Sequence, residues 1–414
     1  MTKIENIIDR QLINAPTEVV YCKKCVVSNQ RPRLTFNIEG ICSACQFAYE
    51  KQHVIDWTDR KRQLQELCDK YRSKDGKYDV VIPCSGGKDS SMIAHRLKTE
   101  YGMHPLTVTW APFLPTDVGK QNFEKFTAAG FTNILGTPNG QLHRKLTRIG
   151  FEAVGDPFLP FIYGQMAFPF HVAYNLGIKL IMYGENGEAE YGGISKNNYV
   201  PYMPFEDWAD VYYKGVTVDD LVKWGLEKKI LNPSDYTESD LTFYRPPPLQ
   251  ELGQKGIQMH WFSYYHKWIP QENYYYSTKH TGLQANPNGR SEGTYSKYAS
   301  LDDKLDGLHY WMGFLKFGIG RATSDAAHEI RDGHITREEA ILLVHKYDGE
   351  FPIRHFKECL DYMGITVEQF WVISEKYYLA SPHLWSKVDG TWKLKVTVFR
   401  EDELRQKKRG LIEI

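Results

Sequence analysis

The sequence predicts an α/β protein built on a doubly wound parallel sheet, with a small four-cysteine module before it and a mainly helical region after it. Three observations carry this expectation. Short, β-branched apolar runs alternate with helical stretches between about residues 57 and 250. The first of those runs ends in paired glycines and feeds directly into a helix-compatible segment. Two Cys-x2-Cys pairs precede all of it. The expected division is therefore 1–56 for the cysteine module, 57–250 for the sheet domain, and 251–414 for a C-terminal region.

The strands follow in order. After an amphipathic stretch (Trp57 to Tyr71) and a polar turn (Ser73 to Lys77), the run Tyr78-Asp79-Val80-Val81-Ile82-Pro83 reads as a buried strand. Pro105 to Trp110 reads as a second, Asn133-Ile134-Leu135 as a third and Lys179 to Tyr183 as a fourth. The helical stretch between the first two is long enough for a right-handed parallel crossover. In such sheets ligands bind at the carboxyl ends of the strands. That rule gathers the glycine loop, Thr109, Trp110 and Gly184-Glu185-Asn186 around one crevice.

The loop itself is Ser85-Gly86-Gly87-Lys88-Asp89-Ser90. A strand, a glycine turn and a helix start make an anion site, because free backbone N–H groups and the positive helix end converge there. Gly86 and Gly87 let the backbone approach phosphate oxygens, Lys88 adds a cation, and Ser85 and Ser90 add hydroxyl donors. Asp89 offers a carboxylate for Mg²⁺. Glu185 is a candidate second magnesium ligand, or simply an acid at a helix start. The spacing is not that of a Walker A loop. It resembles the signature of the PP-loop ATP pyrophosphatases, which implies ATP cleaved to AMP and pyrophosphate, held by Pro83, Ser85 to Ser90, Thr109, Trp110 and Gly184.

The cysteine pairs, Cys22-x2-Cys25 and Cys42-x2-Cys45, are 16 residues apart. Two such knuckles complete a tetrahedron of thiolates, which suits structural Zn²⁺; an iron–sulfur cluster is the competing occupant. Cys68 and Cys359 stand alone in helical stretches and are expected in the core. No apolar run is long enough to span a bilayer, and the first residues show no signal-peptide core. The expected compartment is the cytosol, where thiols stay reduced. Lysine plus arginine and aspartate plus glutamate both total 51, a balance that weighs against a nucleic-acid partner.

Beyond residue 250 the pattern is less regular. Met259 to Tyr276, dense in aromatics and interrupted by Pro270, reads as irregular structure or short helices over the site. Ser291 to Ser296 and Asp302-Asp303-Lys304 are polar clusters, either substrate contacts or solvated loops. Lys316 to Asp325 holds two glycines between two cations and reads as a flexible loop that brings Lys316 and Arg321 to a departing pyrophosphate. Thr336-x-x-Glu339 and Thr366-x-x-Gln369 fit capping boxes, so helices are expected from about Arg337 and Glu368. Val388-Asp389-Gly390-Thr391 reads as a hairpin turn, and the basic end before Leu411 to Ile414 as a tail or partner contact.

Taken together, the cysteine pairs, the Ser85–Ser90 loop and five further segments resemble the bacterial N-acetyl sugar amidotransferases of surface-polysaccharide and nonulosonate pathways. Those segments are Asp156 to Gln165, Tyr183 to Tyr191, Glu292 to Ser296 with Lys316 to Asp325, and Asp348 to Pro352. The resemblance implies that an N-acetyl sugar, ATP and ammonia yield an acetamidino sugar, AMP and pyrophosphate, for O-antigen, capsule or flagellin glycans. It places Gln165, Glu185 and Tyr295 near the acetamido group, with Glu185 or Glu188 as general base, and Lys316 and Arg321 on the pyrophosphate. No cysteine has the setting of a glutaminase nucleophile, so the resemblance implies a glutaminase and an ammonia-conducting barrel as partners, or free ammonia. The aromatic-rich second half would support a homodimer. Two other classes share parts of the pattern: a tRNA-thiolating enzyme with a structural zinc module, and a non-catalytic zinc- and nucleotide-binding scaffold. The first would want a basic face; the second leaves the density of candidate catalytic groups without a use.

Overall fold

A computed structural model describes residues 7–208 and 213–402, so the basic C-terminal tail lies outside the described residues. Five strands form one parallel sheet: β1 (Val80–Pro83), β2 (Pro105–Trp110), β3 (Asn133–Gly136), β4 (Leu180–Tyr183) and β5 (Gln258–Trp261), in the order β3-β2-β1-β4-β5. Alternation fixes the two faces. Val81 and Ile181 enter one apolar cluster with the helices Gly140–Val154 and Leu159–Leu176. Their neighbours Val80, Ile82, Leu180 and Met182 enter another, with Met92, Ile93 and Leu97 of helix Lys88–Thr99. A two-residue period with both faces apolar is what a fully covered parallel strand requires.

The strand order reverses at β1. From it the chain winds outward through β2 and β3, then returns to lay β4 on the other side. Adjacent strands at such a reversal send their following loops to opposite faces, which opens a crevice at their carboxyl ends.

The four strands expected from the sequence all form, and the helix Trp57–Tyr71 spans the amphipathic stretch. The fifth strand was not expected. Gln258-Met259-His260-Trp261 lacks β-branched residues, yet it pairs in register with β4, from Leu180↔Gln258 to Tyr183↔Trp261. The sheet therefore extends past residue 250. Pro270 does not break structure but starts the helix Pro270–Thr281, where its missing N–H costs nothing. That helix lies against Lys88–Thr99.

Both capping boxes form, and their helices run Arg337–Tyr347 and Val367–Ala380. The hairpin pairs β6 (Trp385–Val388) with β7 (Thr391–Leu394). Asp389 and Gly390 both take positive φ (50° and 77°), as a two-residue type I′ turn demands. Cys68 and Cys359 are buried within helices Trp57–Tyr71 and Phe356–Met363. The cysteine module shares its apolar cluster with Ala326, Ala327, Ala340 and Ile341, so it leans on the C-terminal helices. Among the described residues, no helix is long and apolar enough to cross a membrane.

Candidate active site

The site begins where β1 ends. Cys84 N–H donates to the Val108 carbonyl (2.8 Å) and the Thr109 hydroxyl donates to the Cys84 carbonyl, so β2 anchors the residue that leads into the loop. Gly86 sits at φ +81°, and a Cβ there would lie 2.7 Å from Phe123 Cα; only glycine fits. Gly87 is the N-cap of helix Lys88–Thr99 and provides no side chain to occupy the first amides. Those amides and the helix end are left for an anion.

Asp89 is held from two sides. Its carboxylate accepts from Lys88 Nζ through one oxygen and from Asn273 Nδ2 (2.9 Å) through the other. Asn273 is buried on helix Pro270–Thr281, and Ser277 one turn further donates to the Lys88 carbonyl (2.6 Å). The segment that reads as an irregular aromatic stretch thus braces the start of the glycine loop's helix.

A cavity of about 350 Å³ opens at the carboxyl ends of β1, β2 and β4. Its lining brings together Pro83, Ser85, Gly87, Lys88, Asp89, Ser90, Thr109, Trp110, Gln165, Gly184, Glu185 and Arg321. It also includes Phe158, Phe161, Tyr298 and Asp306, singled out for no role from sequence, and Asp302 and Asp303 of the polar cluster read as substrate contacts or solvated loops. Gly164 makes room for the Trp110 indole, since a Cβ there would fall 2.0 Å from its ring.

The cavity is crowded with carboxyl groups. Burial, reinforced by Asp89, raises the Glu185 carboxyl to about 7. Burial likewise raises Asp302, and lifts Asp303 to about 7. Two cations oppose them. Lys88 belongs to the loop, and Arg321 enters from the start of helix Arg321–Asp332. The Arg321 Nε donates to Asp325 Oδ1 (3.1 Å) and its guanidinium lies 4.5 Å from the Tyr310 ring centroid. Burial would lower its basicity, but Asp325, Tyr310 and Asp306 outweigh burial and hold it well above the ordinary value. Such a site suits a polyanion brought in with divalent cations.

Four sequence-predicted residues lie outside the cavity lining. Lys316 is the clearest correction. It closes helix Asp306–Phe317, and its buried ammonium donates to Asp9 Oδ2 (2.8 Å) and to the Val154 carbonyl (2.9 Å). Gly318 ends that helix in a left-handed cap and Gly320 begins the next, so the segment is a tight helix–helix turn rather than a flexible loop. Glu188 is buried in a bidentate pair with Arg33 (2.6 and 3.0 Å) and also accepts from Ile194 N–H. The Tyr295 hydroxyl donates to Glu329 Oε2 (3.1 Å). Gly86 lies behind the loop against Phe123.

The polar cluster around residues 291–296 acts as a brace. Thr294 Oγ1 donates to Asp325 Oδ2 (2.6 Å) and the Gly293 carbonyl accepts from Ala322 N–H (3.0 Å), which fixes the helix start that carries Arg321. Arg290 and the Gly293 N–H both bind Glu350.

The second centre is the cysteine cluster. The four Sγ atoms lie within 4.8 Å of one another, with Cys25–Cys42 at 3.8 Å and Cys22–Cys45 at 4.0 Å. A tetrahedron with metal–sulfur bonds of about 2.3 Å has edges of about 3.8 Å. The Lys24 and Cys42 N–H groups each donate to Cys22 Sγ (3.3 Å). The four thiols can hold a metal such as zinc, and four sulfur ligands fill its tetrahedron, leaving no open position for substrate.

Residues 292–398 match the family described as LPS biosynthesis protein WbpG-like, C-terminal domain. The matched segment supplies Tyr298, Asp302, Asp303, Asp306 and Arg321 to the cavity wall, together with the brace around Thr294. This similarity supports a role in polysaccharide biosynthesis. The comparison with curated proteins returned no match.

Proposed function

We propose that the protein is an ATP-dependent, AMP-forming amidotransferase that converts the acetamido group of a bacterial surface-polysaccharide sugar into an acetamidino group. The observation that carries this reading is the Ser85–Ser90 loop, a glycine turn of PP-loop type set at the reversal of a parallel sheet and faced by Glu185, Gln165 and Arg321. The similarity of residues 292–398 to a lipopolysaccharide-biosynthesis domain supports a surface-polysaccharide sugar as the substrate class.

An amide carbonyl is a weak electrophile. Attack of its oxygen on the α-phosphorus of ATP forms a P–O bond, releases pyrophosphate and leaves an O-adenylyl imidate that keeps the amide N–H and so carries a positive charge. Ammonia then adds to that carbon, the C–O bond breaks, AMP departs, and the product leaves as the amidinium. The free N–H groups of the loop, Lys88 and the Ser85 and Ser90 hydroxyls bind the β- and γ-phosphates. Asp89, steadied by Asn273, is the residue placed to hold Mg²⁺, which would neutralise the phosphates. Arg321 offsets charge as pyrophosphate departs. Glu185, with its raised pKa, takes the proton that incoming ammonia sheds. Trp110, Phe158 and Phe161 offer flat apolar faces for the adenine and sugar rings.

Zn²⁺ at Cys22, Cys25, Cys42 and Cys45 is structural in this reading. No cysteine is placed as a glutaminase nucleophile: Cys84 is buried beneath the loop with its thiol raised to about 11. Ammonia therefore comes from a glutaminase partner through an ammonia-conducting subunit, or from solution, and the reaction takes place in the cytoplasm.

The test is incubation with ATP, Mg²⁺, ammonium and a panel of N-acetyl sugars, measuring AMP and pyrophosphate. Sugar-dependent AMP is expected, and Asp89→Ala should lower it by about a thousandfold or more, on the scale of losing a transition-state charge contact, with zinc content unchanged. ADP and phosphate as products, or AMP release that depends on tRNA and not on sugar, contradict the reading.

A further inference from the structure

A second cavity, of about 360 Å³, lies between the N-terminal segment, the cysteine module and the chain around Lys214. It shares no lining residue with the candidate active site. Arg10, Arg31, Arg33 and Lys214 line it, and among the described residues no carboxylate does. The remaining wall is made of amide side chains, prolines and small residues, and the Gln30 and Asn29 amides are already committed to backbone carbonyls.

Two of the four cations are balanced from behind. Arg33 pairs with Glu188 and Lys214 with Asp156 (2.8 Å). The other two are not. Arg10 is exposed and makes no ion pair among the described residues; its stem lies over Gly215, where a Cβ would come within 3.1 Å of it. Arg31 donates to the neutral Gly192 carbonyl and rests 5.5 Å from the Tyr191 ring centroid. Burial pushes the Arg31 guanidinium below its ordinary value, Glu188 opposes that, and the charges of Arg331 and Arg33 add to the lowering. The cavity thus concentrates positive charge that the protein itself does not neutralise.

Backbone geometry adds a second, independent sign. Arg33 (φ 64°) and Lys214 (φ 55°) are non-glycine residues held in the left-handed region, and both fall in this wall. Such conformations persist where surrounding structure enforces them, and they cluster at ligand sites.

We propose that this cavity binds a phosphate-bearing small molecule, gripped by Arg10, Arg31, Arg33 and Lys214. After the two internal pairs are counted, two positive charges remain, which matches a phosphate monoester at neutral pH (about −1.5 to −2) better than a single carboxylate. Guanidinium groups also bind phosphate oxygens through paired N–H donors. Two of its cations are tied to segments that also supply residues to the active cavity. Arg33 holds Glu188, three residues after Glu185, and Lys214 holds Asp156, two residues before Phe158.

Calorimetric titration of the full chain tests this. The Lys88→Ala variant is used throughout, so that phosphate binding at the loop is weakened. The probes are inorganic phosphate, N-acetylglucosamine 1-phosphate and acetate. Saturable binding of phosphate or of the ester is expected, with acetate weaker by about tenfold or more for its halved charge. Adding Arg10→Glu, an exposed change that leaves folding intact, should weaken phosphate and ester by about tenfold or more. Tighter binding of the ester than of phosphate that is lost with Arg10→Glu identifies an organic phosphate as the ligand, and equal Arg10-dependent binding identifies the free ion; either supports the site. No saturable binding of either, acetate binding as tightly as phosphate, or phosphate binding indifferent to Arg10→Glu overturns it.

Discussion

Lys316 and Arg321 stand five residues apart across one turn and serve different ends. Lys316 closes a helix and turns inward to Asp9 and the Val154 carbonyl, a purely structural contact that ties the N-terminal segment to the C-terminal helices. Arg321 opens the next helix and reaches the cavity wall, kept in place by Asp325, Tyr310 and the Thr294 brace. The two glycines between them do not make the segment mobile; they end one helix and begin another, and so send the flanking cations in different directions. Charge and proximity in sequence say little about which cation reaches substrate.

Breaking the Lys316 side of this comparison should give the largest effect. Lys316→Ala leaves the buried Asp9 carboxylate without its cation and should cost about 3–5 kcal/mol of stability. Denaturant unfolding reads that loss, while turnover per folded molecule should stay near normal. Lys316→Met combined with Asp9→Asn should recover part of it; Asn can still cap the short helix whose Gln11 N–H Asp9 accepts (2.9 Å). A large fall in turnover of the folded Lys316 variant would put Lys316 back in the chemistry.

Arg321→Ala should show the opposite signature. Turnover should fall by about a hundred- to a thousandfold, as for other charge contacts made in the transition state, with a smaller change in unfolding midpoint than Lys316→Ala. Kinetics and denaturation on the same sample separate the two.

A milder effect is expected at Asn273, which acts through Asp89. Asn273→Ala should cost about 1–2 kcal/mol, from a buried hydrogen bond to a charged group, and raise the Mg²⁺ concentration needed for half-maximal rate. An unchanged magnesium dependence would leave Asn273 as core packing only.

The smallest effect is on stability against pH. Glu185 has its carboxyl raised from 4.5 to about 7, so between those values the folded protein binds a proton that the unfolded chain has released. Its contribution to stability is thus lost as pH rises through that window. Glu185→Gln should flatten the fall in melting temperature between about pH 5 and 7; an unchanged slope would assign the titration to Asp303, whose carboxyl is also raised to about 7.

The same contrast explains what was legible from sequence. Strands β1 to β4 announce themselves as apolar β-branched runs, and the glycine loop as strand, glycines and helix in order, because those signals are local. β5 was hidden, since Gln258-Met259-His260-Trp261 gains its strand identity only by pairing with β4. Lys316 was misplaced because its partner Asp9 lies 307 positions away, and nothing near Lys316 points to it. Asp302 and Asp303 stood out as a polar cluster without a direction. Phe158 and Phe161 belonged to a segment singled out as a whole, and only the fold turns their rings to the cavity.

Attack of the amide oxygen on ATP leaves an isotopic trace. An N-acetyl sugar carrying heavy oxygen in its acetamido carbonyl is turned over with ATP and ammonium, and the AMP is examined by mass spectrometry. Adenylylation predicts one heavy oxygen in each AMP formed, matched by an unlabelled amidino product. Unlabelled AMP, or label appearing in inorganic phosphate alongside ADP, would contradict it.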